Sequence, residues 1–221
     1  MREGEPFIRF DWIVDNLDAI GQRVGEHLVM VVAAVVIGFV VSFGLALLAR
    51  RFRRTYGPIL AVTGTLYAIP SLALFVLLIP VTGLTLMTGI IALVLYTLLI
   101  LVRNIVVGLD GVPPDVVEAA NGMGYSPAQR FWRVELPIAT PVIIAGLRIA
   151  TVTTVGLVAI TTFIGLGGLG YLIINSGVRR FFPTSIYVGV LLCVVLAVAA
   201  DAGLAWLQRR LTPWAGRRGA A

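Results

Sequence analysis

Long apolar segments alternate with short polar ones along most of the chain. A helix needs about 20 residues to cross a hydrocarbon core of about 30 Å, and we predict five such spans. They are Leu28–Ala49, Ile59–Ile79, Leu86–Val102, Pro141–Ile164 and Ile186–Leu207. Since lipid offers no hydrogen-bond partner to an open backbone, these segments should be helical. The pattern therefore predicts an all-α integral membrane protein with about five transmembrane helices.

The composition excludes the main alternatives to a membrane protein. The 221 residues are 59% hydrophobic and 13% charged, whereas an average soluble domain is about half apolar and about a quarter charged. The long apolar runs exclude intrinsic disorder. The net charge of +6 is typical of some nucleic-acid-binding proteins, but here the arginines flank apolar spans. We therefore interpret them as topology determinants and expect no nucleic-acid partner.

The distribution of the arginines predicts an orientation. Of the 17 basic residues, which are all arginine, 12 lie where the first, third, fourth and fifth spans would meet one side of the membrane. The positive-inside rule places this side in the cytoplasm, with the N-terminus outside and the C-terminus inside. The pair Arg179–Arg180 argues against this orientation.

The N-terminal segment has a helical pattern of its own. Apolar residues recur there at helical spacing: Phe10, Ile13, Leu17, Ile20 and Val24. This spacing predicts an amphipathic helix on the outer interface, and the scattered acids argue against a signal peptide. We expect an extracytoplasmic segment over residues 1–22, a transmembrane domain over 23–208 and a basic cytoplasmic tail over 209–221.

The loop between the third and fourth spans, about residues 103–140, has its own helix boundaries. The proline pair at 113–114 should open a short helix, and Gly122 and Gly124 should end it. Ser126-Pro127-Ala128-Gln129 predicts a capping box at the start of a second short helix, and Pro137 should stop that helix. The loop contains no catalytic constellation, so we expect it to bind another protein.

The same loop carries a spaced motif. Glu118-Ala119-Ala120 is followed after three residues by Gly124, and after nine more by Val134, one residue and Leu136-Pro137. This resembles the EAA loop of the permease subunits of binding-protein-dependent ABC importers, which has isoleucine in place of Val134. The resemblance implies the fold of a type I ABC importer permease in a bacterial plasma membrane.

The resemblance also implies residue roles and partners. The first short helix would bind a groove of a cytoplasmic ATPase subunit, with Glu118 in polar contact and Ala119 and Ala120 allowing close approach. Gly124 would form an elbow, and Leu136-Pro137 would lead into the next span. The other implied partners are a second copy or homologue of the permease and an extracytoplasmic solute-binding protein. No phosphate-binding loop occurs in the sequence, so ATP hydrolysis is expected on the ATPase subunit, and no cofactor or metal is expected in this chain.

Three further segments narrow the family. Ala68–Leu74, Arg103-Asn104 with Gly108-Leu109, and Phe163–Gly170 are similar to the osmoprotectant branch, which imports glycine betaine, choline, carnitine and related quaternary ammonium solutes. A permease for methionine, taurine or another small polar solute stays open as an alternative. An ATP-independent secondary transporter is a third hypothesis, but it calls for coupling carboxylates within the spans, and only Asp201 offers itself.

Several residues within the predicted spans are candidates for the solute pathway. Pro70, with Ser71 beside it, should kink the second span, either to line the pathway or for packing alone. Thr151, Thr154 and Thr161 fall on one helical arc. This hydroxyl stripe would line a polar route, or the hydroxyls would bond to their own i−4 carbonyls or to neighbouring helices.

The remaining polar residues have simpler interpretations. Asp201 is the only acid well inside a span, and we expect a structural ion pair between it and Arg148. His27 lies at the outer end of the first span and is interpreted as an interfacial residue. Gly165, Gly167 and Gly170 match the spacing G-x-G-x-x-G, but they follow a membrane span rather than a β-strand. We therefore reject a dinucleotide site.

Overall fold

The computed structural model describes residues 8–214, and every regular element in that range is helical. The α-helices are α1 (Phe10–Asp15), α2 (Leu17–Arg51), α3 (Tyr56–Ala68), α4 (Ser71–Thr82), α5 (Leu86–Asp110), α6 (Pro114–Gly122), α7 (Pro127–Arg130), α8 (Leu136–Ile160), α9 (Leu169–Tyr171) and α10 (Pro183–Leu211). Short 3₁₀ turns occupy Arg53–Thr55, Thr161–Ile164 and Val178–Arg180, and π-helical turns occupy Phe131–Glu135 and Leu172–Gly177. The terminal arginines Arg2, Arg217 and Arg218 used for the orientation lie outside the described residues.

Within residues 8–214, four helical segments are long and apolar enough to cross a membrane: α2, α5, the continuous run Pro127–Ile164 that contains α8, and α10. The pair α3 and α4 adds a fifth if it counts as one bent span. The prediction of an all-α membrane protein with about five spans is confirmed.

The core lies where α5 packs between α2 and α8. One apolar cluster, around Met30, Leu93 and Val158, fills the half of the bundle near the start of α2. A second cluster, around Leu101 and Leu109, fills the half near its end. Helix α10 packs mainly on α8 and is buried only near its N-terminus, so most of its surface faces outward.

The structure extends two predicted spans and corrects their ends. Helix α5 continues to Asp110, so Arg103 and Asn104 lie in a helix rather than in the loop. Pro137 does not stop a helix, because the helical run continues through it from the π-helical turn into α8. Local π-helical adjustment lets a membrane helix accommodate the missing N–H of proline. The π-helical turn joins α7 to α8 without a break.

The predicted interfacial helix is also corrected. Residues from Leu17 onward belong to α2, the first long helix, and only α1 is separate. Ile20 is buried against Leu169 and Leu172, whereas Phe10 and Leu17 are exposed. The apolar residues do recur at helical spacing, but they are divided between α1 and α2. Part of this apolar face packs on the segment before α10 instead of lying on the membrane interface.

The second predicted span is broken rather than kinked. Helices α3 and α4 meet at an angle of 100°, because Ile69 before the proline is extended and Pro70 has no N–H to continue the helix. The hydroxyl of Tyr96 donates a hydrogen bond to the carbonyl oxygen of Ile69. A side chain of α5 therefore satisfies a backbone group that the break sets free.

Candidate functional site

The loop that carries the spaced motif presents a short helix, α6, beyond the end of α5. Proline opens it at its first position, as predicted. Glu118 and Ala119 are exposed, whereas Ala120 is only 1% exposed and packs inside the protein. This corrects the expectation that both alanines offer a surface to a partner. Ala119 is exposed, whereas Ala120 holds α6 against its own chain.

The elbow after α6 is a Schellman motif. Gly124 has φ +79, its N–H donates to the carbonyl of Asn121 at 3.0 Å, and the N–H of Tyr125 donates to that of Ala120 at 3.1 Å. A left-handed φ favours glycine because a Cβ would crowd the following carbonyl. The glycine of the sequence motif therefore determines how α6 ends.

The second short helix begins at the predicted capping box. The Ser126 hydroxyl accepts from the N–H of Gln129 at 3.3 Å, and the Gln129 side-chain oxygen accepts from the N–H of Ser126 at 2.9 Å. Two otherwise unpaired donors are thus satisfied in one turn. The capping-box prediction is confirmed.

A buried carboxylate anchors this loop to the helical bundle. Glu135, in the π-helical turn, is 2% exposed, and each of its oxygens has an arginine partner. Arg130 Nε lies 2.6 Å from Oε1, and Arg50 at the end of α2 pairs with Oε2. A carboxylate removed from water at this depth is stable only when it is paired and hydrogen-bonded.

The ion pairs continue on both sides of Glu135. Arg130 Nη1 donates to the side-chain oxygen of Asn121 in α6 at 2.7 Å. On the other side, Arg50 lies 3.8 Å from Asp110 at the end of α5, and Arg53 binds both oxygens of Asp110 at 2.6 and 2.8 Å. We call the six residues joined in this way the anchor network: Arg50, Arg53, Asp110, Asn121, Arg130 and Glu135.

Sequence reasoning missed Glu135 and therefore missed this network. The motif leaves the position between Val134 and Leu136 unspecified, so the resemblance drew no attention to it. An acid directly before an apolar span is nevertheless a recognisable feature, because it needs a partner wherever the helix enters the membrane. Which arginine would reach it depends on the meeting of α2 with the start of α8.

At the opposite end of the bundle, the glycine-rich loop after α8 is held by α2. Glu26 accepts from the N–H of Gly168 and from Arg23, both at 2.8 Å. The Arg23 guanidinium lies 4.0 Å from the centre of the Tyr171 ring. Gly168 has φ +79, and the loop joins helices rather than a strand and a helix. The rejection of a dinucleotide site agrees with this geometry.

His27 is not an interfacial residue, which corrects the prediction. Its side chain is fully buried, and Leu169 donates its N–H to Nδ1 at 3.3 Å. Since Nδ1 accepts, Nε2 carries the proton and donates to the carbonyl of Val155 at 3.1 Å. The imidazole thus bridges α8 and the start of α9.

The three threonines of the predicted stripe face the interior of the chain. Thr151 donates to Leu147, Thr154 to Ala150 and Thr161 to Val158, at 2.7 to 2.8 Å. All are buried, and Thr161 lies in a 3₁₀ turn beyond the end of α8. Their hydroxyls bond to carbonyls of their own helical run, which agrees with the second interpretation of the stripe.

The remaining predicted residues lie apart from the loop. Arg148 on α8 donates through Nε and Nη2 to the two oxygens of Asp201 on α10, each at 2.7 Å. Pro70 is exposed at the break, and Ser71 beside it is half-buried.

The chain is similar to known proteins both in sequence and in fold. Residues 34–213 match the family of binding-protein-dependent transport system inner membrane components. The choline transport system permease protein OpuBB of Bacillus subtilis is 35% identical over 189 residues, which cover 85% of this chain and 86% of OpuBB. The osmoprotectant import permease protein OsmW of Salmonella typhimurium is 36% identical over 207 residues, which cover 91% of this chain and 96% of OsmW.

Among solved structures, a chain of the MetNI methionine ABC transporter in an inward-facing conformation superposes with a TM-score of 0.79 at 25% identity. The superposition covers 87% of this chain and 96% of that one. The predicted permease fold is confirmed by this match. Sequence and structure agree that the chain belongs to the family of binding-protein-dependent transport system inner membrane components.

Proposed function

We propose that this chain is the membrane subunit of an ATP-driven importer of quaternary ammonium solutes, and that α6 is the surface on which its ATPase subunit acts. The observation that carries the proposal is the exposure of Glu118 and Ala119 on a short helix whose C-terminal turn is linked through Arg130 to the buried Glu135. An exposed acid beside a small residue suits a partner groove that offers a cation and needs close approach. Hydrolysis of ATP then takes place on that partner.

The distribution of charge supports an orientation of the chain in the membrane. The ends of α2 and α5 and the start of α8 meet at the anchor network, and α6 lies at this same end. The positive-inside rule supports placing this end in the cytoplasm, where an ATPase has access to it. The glycine-rich loop and Arg179–Arg180 then face outward, toward the solute-binding protein.

The broken pair α3 and α4 is the best-supported wall of a solute pathway. Both helices are largely exposed, and their junction leaves Pro70 at the surface of the single chain. Transporters commonly place such breaks at the solute route, because the interrupted backbone supplies polar groups there. A second permease chain facing this side would complete the pathway, with Pro70 and Ser71 on its wall.

The choice of solute is supported by the relatives. Those described above are named for choline and for osmoprotectants, and another, at 37% identity, is named for glycine betaine, carnitine and choline. The structural neighbour is named for methionine, which keeps a methionine-type solute as the second candidate. Sequence identity is higher to the first group, and we therefore favour the quaternary ammonium solutes.

The ATPase surface is tested by Glu118→Ala in proteoliposomes that contain the permease, its cognate ATPase and the binding protein. We expect ATP-driven uptake to fall by about tenfold or more, because the exposed acid is lost from the docking helix. Asp18→Ala, which removes an exposed acid in the first turn of α2, at the opposite end of the bundle, is the matched control and should retain most uptake. Wild-type uptake that proceeds without ATP or the ATPase would contradict the proposal.

The solute class is tested separately on the purified binding protein. We expect choline or glycine betaine to bind at least about 100-fold more tightly than methionine or taurine, a difference of about 2.7 kcal/mol. The same solutes should compete for uptake in the reconstituted system. A preference for methionine in both measurements would support the second candidate instead.

A further inference from the structure

We infer that Glu135 is a positioning residue that makes α6 and the transmembrane helices move as one body, so that work done on α6 reaches the membrane. This inference rests on the proposed function, since it gives α6 a mechanical connection that the exposed docking residues lack. It concerns a residue that touches neither the solute nor the surface offered to the ATPase. Three observations support it: Glu135 is buried, it pairs with two arginines, and it lies directly between the loop and α8.

The elbow after α6 has few restraints of its own. Helix α6 meets the rest of the loop through Gly122 and Gly124, and a Cβ at either glycine would find open space. Apart from the packing of Ala120 inside the protein, the backbone hydrogen bonds of the Schellman motif are the main local restraint on the elbow. Arg130 adds a brace, because its bond to Asn121 spans the elbow from α7 to α6.

Glu135 holds Arg130 in the position from which it reaches α6. Arg130 directs Nη1 to Asn121 and Nε to Glu135, so the Glu135 carboxylate fixes the guanidinium in its bridging position. Loss of the carboxylate charge would leave Arg130 free to turn toward water, since the arginine is 27% exposed. The hydrogen bond between Arg130 and Asn121 of α6 therefore depends on Glu135.

Glu135 is also connected to the long helices of the bundle. The second oxygen of Glu135 pairs with Arg50 at the end of α2, and Asp110 continues the alternation of charge to the end of α5. Apolar contacts support the same junction, since the Phe131 ring meets Phe43 of α2 edge-on at 6.4 Å. The C-terminal ends of α2 and α5 and the start of α8 are thereby connected through one buried carboxylate.

The mechanical consequence is a choice between two motions. When a partner displaces α6, an unbraced loop would bend at the glycine elbow and leave the spans in place. A braced loop transmits the displacement as rigid-body rotation of the bundle. In the first case ATP would be hydrolysed without import, and in the second the two are coupled.

The test measures solute imported per ATP hydrolysed in proteoliposomes with the cognate ATPase and binding protein. For Glu135→Gln, which preserves the shape of the side chain, we expect this ratio to fall about tenfold while ATP hydrolysis stays within about twofold of wild type. Asp18→Asn makes the same chemical change at an exposed position of α2 and should keep the wild-type ratio. A wild-type ratio in Glu135→Gln would overturn the inference.

A double-mutant cycle separates coupling from general stability. If Glu135 acts through Arg130, then Arg130→Gln should lower the ratio, and the double variant should lose no more than Glu135→Gln alone. Losses that multiply, or import and hydrolysis that fall in proportion, would mean that Glu135 serves only the fold.

Asn121→Ala keeps the test decisive if Glu135→Gln fails to fold. Asn121 is exposed, so truncation removes the brace contact and leaves the buried carboxylate paired. We expect a smaller loss of the import-to-hydrolysis ratio, about fivefold, and an unchanged ratio would overturn the inference. Wild-type protein that imports without ATP would instead overturn the proposed function, so the two failures are distinguishable.

Discussion

Gly124 illustrates how one backbone angle shapes the exposed loop. Its φ of +79 lies in the left-handed region, and the Schellman hydrogen bonds that end α6 need this conformation. Gly122, two residues earlier, is the last residue of α6 and has no such angle. The two glycines of the elbow therefore differ in what a side chain would cost.

For Gly124→Ala we expect the end of α6 to be destabilised by about 1 kcal/mol, because alanine in the left-handed region is strained. Amide hydrogen exchange over residues 114–126 of the purified protein should become about fivefold faster by the usual conversion of free energy into an equilibrium constant. Gly122→Ala is the matched control, and its exchange should be unchanged or slower, since alanine favours the helix. Equal acceleration in both variants would contradict the assigned role of the φ angle.

At the scale of elements, the packing of α5 on α8 depends on small residues. A Cβ added at Gly146 would overlap the Cβ of Asn104 and lie 2.7 Å from its Cγ. Membrane helices gain no hydrophobic driving force from meeting in lipid, so close van der Waals contact at such residues holds them together. Gly156 lies in the same helix and is exposed, with nothing within 4 Å of a Cβ.

For Gly146→Ala we expect a loss of about 1–3 kcal/mol in the free energy of unfolding, typical of overpacking in a closed interface. The measurement is an unfolding titration with a strong detergent, monitored by loss of helical circular dichroism. Gly156→Ala, the same change in the same helix, should be neutral or slightly stabilising. If both variants unfold together with wild type, the α5–α8 contact does not carry the stability that we assign to it.

At the scale of the whole molecule, α10 is the least buried of the long helices. Its buried residues, Thr184, Ser185 and Gly189, all lie near its start. The pair between Arg148 and Asp201 is the charged contact that holds its later half to α8. Since Asp201 lies ten residues before the end of α10 at Leu211, the pair is about 15 Å from that end at 1.5 Å per residue, well inside the span.

Asp201→Asn should lower the melting temperature of the purified protein by several degrees, because it leaves the Arg148 charge without its partner within the span. The double variant Arg148→Leu with Asp201→Leu should recover most of the loss, since an apolar pair has no unpaired charge. Thermal unfolding followed by circular dichroism checks both. A double variant that is less stable than Asp201→Asn would show that the ion pair itself, rather than the avoidance of a lone charge, is required.

Local chemistry explains why so much could be predicted from sequence. Apolar runs longer than a bilayer determine that the chain is helical and lies in lipid, and the prolines, glycines and capping box determine the form of the exposed loop. These features depend on the backbone and on the solvent, which each segment meets independently of the rest of the chain. The spacing around Glu118 and Gly124 even identified the family before any contact was visible.

The tertiary structure decided those features that depend on which helices pack together. Helical periodicity placed three threonines on one arc, but only the packing of the helices showed that this arc is buried. His27 looked interfacial until the loop after α8 was seen to cover it, and Glu135 had no assigned role until α2 brought Arg50 to it. Sequence determines how each segment meets lipid and water, whereas burial and charge pairing belong to two segments at once and exist only when the fold joins them.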